Sequence, residues 1–196
     1  VLVSATNGKT TTARLVASCA REAGWDLVAN TSGANLLSGV ATALLDAQGR
    51  SPAPEAGLFE VDEAALVEVT RQLRPRVLLL MNLFRDQLDR YGELEHLAAL
   101  WARMVAELPA SAVPVLNADD PRVLAMRAVV QSRQWVFSRD ADAPGIREAL
   151  AQGGRATTVI DGWLSVLEPG RDPDPLVELV DVPMTLAGLS RFNVEN

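Results

Sequence analysis

Six short apolar runs, separated by amphipathic stretches, constrain the fold of this chain more than any other feature. The predicted strands cover residues 1–4, 27–29, 57–61, 77–81, 113–116 and 135–138. The predicted helices, in which apolar residues recur at helical spacing, cover 11–23, 36–45, 63–73, 94–108 and 121–130. Strands that alternate with helices are joined by right-handed crossovers. The sequence therefore predicts an α/β fold with a mostly parallel sheet flanked by helices.

The pattern changes after Phe137. The elements predicted there are a loop with one short helix over 138–155, a hairpin of strands 157–160 and 163–167, a turn-rich link over 169–175 and a further strand over 176–182. The dipeptide Asp161-Gly162, between the two hairpin strands, is typical of a tight turn. We therefore expect a small C-terminal β-hairpin and strand addition, with residues 138–183 as a variable insert.

The segment 6–12, Thr-Asn-Gly-Lys-Thr-Thr-Thr, follows the first predicted strand and opens the first predicted helix. This context is typical of a phosphate-binding loop, because the N–H groups and the dipole of a helix start attract anions. Lys9 would reach the β- and γ-phosphates of a nucleotide, and the Thr10 hydroxyl would bind Mg²⁺. Such loops usually have an earlier glycine where this chain has Ala5. Lys9 is the only lysine of the chain, which favours the phosphate role over a polar turn that merely caps the helix.

Polar residues stand at the ends of three predicted strands, and ligands of open parallel sheets bind beyond the carboxyl ends of the strands. Glu60 ends one strand, and we expect it to hold Mg²⁺ in preference to Asp62 and Glu63. Asn82 ends a second strand. Asn117 ends a third strand, where its amide is suited to hydrogen-bond the edge of a base.

Two of these regions allow a structural interpretation beside the functional one. The charged run 83–92 after Asn82 fits either a site loop or the start of a surface helix. Asp120, which precedes Pro121, fits a helix N-cap and a ligand role equally well.

The composition excludes several classes of function. A net charge of −7 leaves no basic stripe for nucleic-acid binding. The apolar runs are too short to span a bilayer. The single cysteine, Cys19, excludes an internal disulfide framework, and the single histidine, His96, argues against a histidine metal site.

The chain opens on a strand and stops where a helix starts, so we expect residues 1–196 to be one domain of a longer protein.

Taken together, these motifs resemble the central ATPase domain of the Mur ligase superfamily, which includes the peptidoglycan stem-peptide ligases and folylpolyglutamate synthase. The segments that carry the resemblance are 6–12, 31–35, Glu60, 82–92, 117–121 and 188–196. Within the superfamily the chain is most similar to the MurT family, the ligase-like subunits of lipid II isoglutaminyl synthase. The segments 59–64 (FEVDEA) and 82–93 (NLFRDQLDRYGE) carry that choice.

Two departures from the relatives bear on this assignment. Amino-acid-adding Mur ligases tend to have Asp-His where this chain has Asp86 and Gln87, and they use a carbamylated lysine on the next helix. No lysine occurs in 94–108, because Lys9 is the only one in the chain. MurT proteins often carry a four-cysteine zinc ribbon, whereas no cysteine follows Cys19 here, so we expect no zinc.

The resemblance implies that the α-carboxylate of D-glutamate in lipid II is amidated to D-isoglutamine through an acyl phosphate. It implies ATP and Mg²⁺ as cofactors, a GatD-like glutaminase as heterodimer partner and ammonia donor, and a cytoplasmic protein without a membrane anchor. The residues implied are Lys9, Asn35 and Asp86 in catalysis, Thr6, Asn7, Gly8, Lys9, Thr10, Thr11 and Asn117 in nucleotide binding, and Thr10 and Glu60 in magnesium binding. Arg85 and Gln87 are further candidates near the reacting carboxylate.

Two other functions stay open. The first is a Mur-type amino-acid ligase or a relative of folylpolyglutamate synthase, against which Gln87 and the missing lysine argue. The second is a non-catalytic ATP-binding regulatory domain, against which the intact Lys9, Thr10 and Glu60 argue.

Overall fold

A computed structural model of the chain describes residues 1–30, 34–84, 93–186, 188–190 and 193–194. Its strands are β1 (Leu2–Ser4), β2 (Leu27–Ala29), β3 (Ala56–Glu60), β4 (Val77–Leu80), β5 (Val113–Asn117), β6 (Trp135–Phe137), β7 (Arg155–Ile160), β8 (Trp163–Leu167) and β9 (Asp174–Glu178). Its helices are α1 (Lys9–Glu22), α2 (Leu37–Ala47), α3 (Leu66–Leu73), α4 (Glu93–Ala106), α5 (Pro121–Ala125) and α6 (Pro144–Ala151). None of the helices in these ranges has the length and apolar character needed to cross a lipid bilayer.

The strands of the described residues form one sheet in the order β2-β3-β1-β4-β5-β6-β7-β8-β9. Neighbours from β2 to β7 in this order are parallel, and β8 and β9 pair antiparallel. The predicted α/β class, a mostly parallel sheet with a C-terminal antiparallel addition, is therefore confirmed. The chain builds β2 and β3 on one side of β1 and then crosses to β4 on the other side, and open sheets bind ligands at such a switch point.

The two faces of the sheet are covered unequally. Strand side chains alternate between faces. Leu2 and Leu78 belong to a core shared with α2, α3, α4, α5 and α6, whereas Val3 and Met81 pack on the opposite face with Ala17 of α1. The helix that follows the predicted phosphate loop is thus packed directly against the central strands.

An apolar cavity of about 390 Å³ lies over the part of the second face that α1 does not cover. Leu79, Phe137 and Val159 line it from the sheet, and Leu179 and Met184 line it from the segment after β9. The C-terminal residues therefore complete the layer that α1 begins.

The predicted helix over 63–73 begins three residues late, at Leu66. Asp62 closes a turn before it, because its side chain accepts a hydrogen bond from the Ala64 N–H at 3.0 Å and its carbonyl accepts one from the Ala65 N–H at 3.1 Å. The predicted helix over 121–130 is also divided, since a 3₁₀ turn replaces the α-helix after Ala125.

The predicted strand over 176–182 is displaced towards the N-terminus. β9 spans Asp174–Glu178, and a 3₁₀ turn follows it over Leu179–Asp181. Pro175 lies inside β9, whereas the sequence pattern predicts it in the preceding link. A proline fits there because β9 is the edge strand and its register with β8 shifts between Leu164 and Ser165.

Arg127 is a buried cation that joins three parts of the fold. Its guanidinium donates hydrogen bonds to Gln134 at 3.0 Å, to Glu148 at 2.9 Å and to Gln152 at 3.1 Å. The 3₁₀ turn after α5, the start of β6 and α6 are therefore connected through one side chain.

We predict that Arg127→Ala lowers the free energy of unfolding by about 1–3 kcal/mol, because the buried Gln134 side chain loses its donor. Chemical denaturation measures this change. Arg71→Ala is the control, because Arg71 forms a solvent-exposed ion pair with Glu107 at 3.5 Å. We expect this substitution to change the free energy of unfolding by less than about 0.5 kcal/mol. Equal effects of the two substitutions would contradict the structural role of Arg127.

Candidate functional site

The loop between β1 and α1 has the backbone of an anion-binding site. Gly8 has a φ of +87° and directly precedes α1, a conformation that glycine adopts without a steric cost. In the described chain, no side chain caps the N-terminus of α1, and its first turn has no acidic residue. Thr11 is exposed in that turn. The N–H groups of a helix start have no partner within the helix, so this turn is suited to bind a phosphate.

Asn82, which follows β4, fastens this loop. Its Oδ1 accepts a hydrogen bond from the Asn7 N–H at 2.9 Å, and its Nδ2 donates to the Asn7 carbonyl at 2.9 Å. The Asn82 carbonyl accepts from the Thr6 N–H at 3.0 Å, and the Phe84 N–H donates to the Thr6 hydroxyl at 3.2 Å. Thr6 and Asn7 are therefore held by the end of the neighbouring strand.

Lys9 is predicted to bind phosphate and Thr10 to bind the metal. Their side chains form hydrogen bonds with two different acidic residues. The Lys9 ammonium donates to the Ala5 carbonyl at 2.6 Å and to Glu63 Oε2 at 3.1 Å. The Thr10 hydroxyl donates to Glu60 Oε1 at 2.7 Å. Glu60, the last residue of β3, thus lies next to the hydroxyl predicted to bind Mg²⁺, whereas Glu63, in the turn after β3, lies next to the ammonium.

A cavity of about 180 Å³ opens beside Thr10 and Glu60. Asn30, Arg14 and Arg21 also line it. The hydroxyl and the carboxylate therefore face a space large enough for a cation and several water molecules, since a water molecule takes up about 30 Å³.

Asn30 is a site residue that the sequence analysis missed. Its Nδ2 donates to the carbonyls of Glu60 and Ala34, both at 2.7 Å, and its Oδ1 accepts from the Glu60 N–H at 3.0 Å. The side chain therefore fixes the backbone of Glu60. The signal that led to Glu60 would also have led to Asn30, because Asn30 is the polar residue directly after β2.

Asn35 lies at the same end of the sheet. It is half-buried, and its carbonyl accepts a hydrogen bond from the Asp62 N–H at 2.8 Å, which joins the loop after β2 to the loop after β3. Asp86, together with Arg85 and Gln87, lies outside the described residues.

Asn117 and Asp120 lie two strands away from β1, at the end of β5. Asn117 is buried, and its Oδ1 accepts from the Asp119 N–H at 2.8 Å. Asp120 is the N-cap of α5, because its Oδ1 accepts from two N–H groups of that helix at 2.9 and 3.2 Å. Its Oδ2 accepts from the Leu83 N–H at 2.7 Å, so the cap also holds the segment after β4.

The donor set at this site fits magnesium bound together with a phosphate. In the described ranges, no group of three or more His, Cys, Asp or Glu side chains could hold a metal ion. Thr10 and Glu60 supply two oxygen atoms, and Mg²⁺ usually completes its six ligands with water and phosphate oxygens. The two side chains therefore suit a metal that arrives with its nucleotide.

Comparison with known families gives one match over nearly the whole chain. Residues 3–196 match the model of the Mur ligase middle domain. The MurT subunit of lipid II isoglutaminyl synthase (glutamine-hydrolyzing) from Streptococcus pneumoniae is 34% identical over 62% of this chain and 27% of that protein. UDP-N-acetylmuramoylalanine–D-glutamate ligase from Nitrosomonas eutropha is 38% identical over 72% of this chain and 29% of that protein. The chain thus spans little more than a quarter of the length of these relatives.

A solved structure supports the fold. Bifunctional folylpolyglutamate synthase/dihydrofolate synthase, crystallised with manganese, AMPPNP and L-glutamate, aligns with a TM-score of 0.56. The alignment covers 98% of this chain and 52% of that protein at 13% identity. The two proteins therefore share the architecture of this sheet and its helices.

We predict that Asn82→Ala lowers the free energy of unfolding by about 1–3 kcal/mol, because the N–H and the carbonyl of Asn7 both lose a partner. Chemical denaturation measures the loss. The control is Gln72→Ala, which removes an exposed side-chain contact to Glu68 and is expected to change stability little. A loss no larger than that of the control would show that Asn82 does not fasten the loop.

Proposed function

The chain belongs to the Mur ligase family as a middle domain, and we propose that it binds ATP for the amidation of the α-carboxylate of D-glutamate in lipid II. Members of the family are ATP-dependent carbon–nitrogen ligases. The observation that carries the proposal is the arrangement of Lys9, Thr10 and Glu60 at an uncapped helix start. It combines a cation for phosphate with two oxygen atoms for magnesium.

In this proposal the N–H groups of the first turn of α1 bind the phosphates, and Lys9 contacts the β- and γ-phosphates. Thr10 and Glu60 hold Mg²⁺, which would neutralise phosphate charge when bound. Thr6, Asn7 and Gly8 of the loop, together with Thr11 in the first turn of α1, form the rest of the nucleotide-binding surface. The Oδ1 of Asn117 already accepts a hydrogen bond within its own turn, so a contact from Asn117 to adenine would use the Nδ2 donor.

The reaction requires an activated carboxylate, because a carboxylate is a poor electrophile at neutral pH. A carboxylate oxygen attacks the γ-phosphorus of ATP, and ADP leaves, which gives an acyl phosphate. Ammonia then attacks the acyl carbon, and phosphate leaves as the amide forms and nitrogen loses a proton. Positioning and charge neutralisation supply most of the rate of such a transfer. We assign Asn35 and Asp86 to the region of the reacting carboxylate.

Two features favour amidation over the addition of an amino acid. One is the similarity to MurT, a subunit of a glutamine-hydrolysing synthase. The other is that Lys9, the single lysine, occupies the phosphate loop, so α4 has no lysine to carbamylate for a second metal. The proposal therefore includes a GatD-like glutaminase partner as the ammonia source and further domains of the full-length protein.

A second candidate function is the ligation of an amino acid to a Mur-type substrate. The observation that favours it is the similarity to the D-glutamate ligase, which is higher in percentage identity than the similarity to MurT. The acyl phosphate would be common to both reactions, and only the attacking amine would differ.

The test uses the full-length protein with a glutaminase partner, Mg-ATP, lipid II and glutamine labelled with heavy nitrogen in its amide. We expect mass spectrometry to find the label as a carboxamide on the D-glutamate residue of lipid II. Lys9→Ala should reduce the rate by about 10²–10³-fold, because a charge-stabilising donor is lost. Arg147→Ala, which removes an exposed cation on α6, is the control and should leave the rate unchanged.

A lipid II product that carries an added amino acid instead of the labelled carboxamide would favour the second candidate function, amino-acid ligation. Nucleotide binding without any product would contradict both candidates and favour a regulatory domain.

We also predict that Glu60→Gln raises the Mg²⁺ concentration required for half-maximal turnover about tenfold, because the amide keeps the shape but loses the charge. Turnover is measured across a magnesium titration at saturating ATP. Glu68→Gln is a matched control, since it makes the same change on an exposed face of α3. An unchanged magnesium requirement in Glu60→Gln would remove Glu60 from the metal site.

A further inference from the structure

The Lys9 ammonium forms an ion pair inside the site where the phosphates of a nucleotide would bind. Its Nζ lies 3.1 Å from Glu63 Oε2, and the two side chains are only 12% and 17% exposed. Water therefore screens the attraction between these two charges less than it screens a pair on the surface. The position of Lys9 in this structure is therefore defined by Glu63 and by the Ala5 carbonyl.

Glu63 is held in place from the protein core. Its carbonyl accepts a hydrogen bond at 3.1 Å from Nε1 of Trp101, which is completely buried. Trp101 belongs to α4, whereas Glu63 lies in the turn before α3 that Asp62 closes. The backbone of Glu63 is thus anchored to α4. This anchor fixes the position from which the Glu63 carboxylate contacts Lys9.

A phosphate and the Glu63 carboxylate are both anions, and both can accept hydrogen bonds from the Lys9 ammonium. The ammonium has three donors, one of which already contacts the Ala5 carbonyl. A nucleotide that engages Lys9 must therefore share it with Glu63 or displace Glu63, and the two anions repel each other. In either case the ion pair reduces the free energy that nucleotide binding gains from Lys9.

We propose that Glu63 is a positioning residue that directs Lys9 towards the loop and lowers the affinity of the site for nucleotide, so that ADP leaves after transfer. This inference rests on the proposed ATP-dependent function of the same site. It assigns to Glu63 a role different from that of Glu60: Glu63 acts through Lys9, and Glu60 acts through the metal. Product release limits turnover in many enzymes, so a weakened phosphate contact at Lys9 would raise kcat.

The test compares the full-length wild type with Glu63→Gln, Glu63→Asp and Trp101→Phe. Calorimetric titration gives the Kd for Mg-ADP and Mg-ATP, and turnover assays give kcat and KM. We expect Glu63→Gln to bind Mg-ADP about tenfold more tightly, because Lys9 no longer has a competing anion, and to have a lower kcat. Glu63→Asp keeps the charge and should lie closer to the wild type.

Trp101→Phe keeps most of the buried ring volume but removes the N–H that holds the Glu63 carbonyl. It should tighten Mg-ADP binding in the same direction as Glu63→Gln, by a smaller factor. Glu68→Gln again serves as the control for the loss of one negative charge and should bind Mg-ADP as the wild type does.

A purely structural role of Glu63 predicts the opposite result, since a disordered loop would bind nucleotide more weakly. Unchanged or weaker Mg-ADP binding in a folded Glu63→Gln protein would overturn the inference and leave the proposed function intact. A wild type that binds no nucleotide, or a Lys9→Ala protein that binds as tightly as the wild type, would overturn the proposed function and the inference with it.

Discussion

The pairing of β1 between β3 and β4 is the constraint on which the site depends. The loops that follow β1, β3 and β4 therefore begin side by side at the carboxyl edge of the sheet. Residues that are distant in sequence come into contact there. Asn82 after β4 holds the backbone of Asn7, and Glu60 at the end of β3 meets Thr10. These contacts support the loop and the start of α1 from both sides, and leave the N–H groups of the first turn without a side-chain cap.

The same arrangement directs two carboxylates that are three residues apart to different partners. Glu60 ends a strand, and its backbone is fixed by Asn30, so its carboxylate faces the small cavity beside Thr10. Glu63 lies past the strand in a turn anchored by Trp101, which directs its carboxylate to Lys9. Backbone position, and not the type of acid, therefore decides which one is suited to a metal and which one to an ammonium.

Features with a local cause could be predicted from the sequence. The strands and helices that carry the site follow from apolar periodicity, and the loop at Lys9 and the acid at Glu60 follow from their places after two strands. The contact between Trp101 and Glu63 could not be predicted, because it joins an indole on α4 to a carbonyl distant in sequence. The edge position that tolerates Pro175 in β9 likewise depends on the order of strands in the whole sheet.

The most direct test of this account is a crystal structure of the full-length protein with Mg²⁺ and a non-hydrolysable ATP analogue. The account predicts the triphosphate over the first turn of α1, the Lys9 ammonium on its β- and γ-phosphates, and Mg²⁺ bound by the Thr10 hydroxyl and the Glu60 carboxylate. A triphosphate bound elsewhere, or a metal held by Glu63 in place of Glu60, would contradict it.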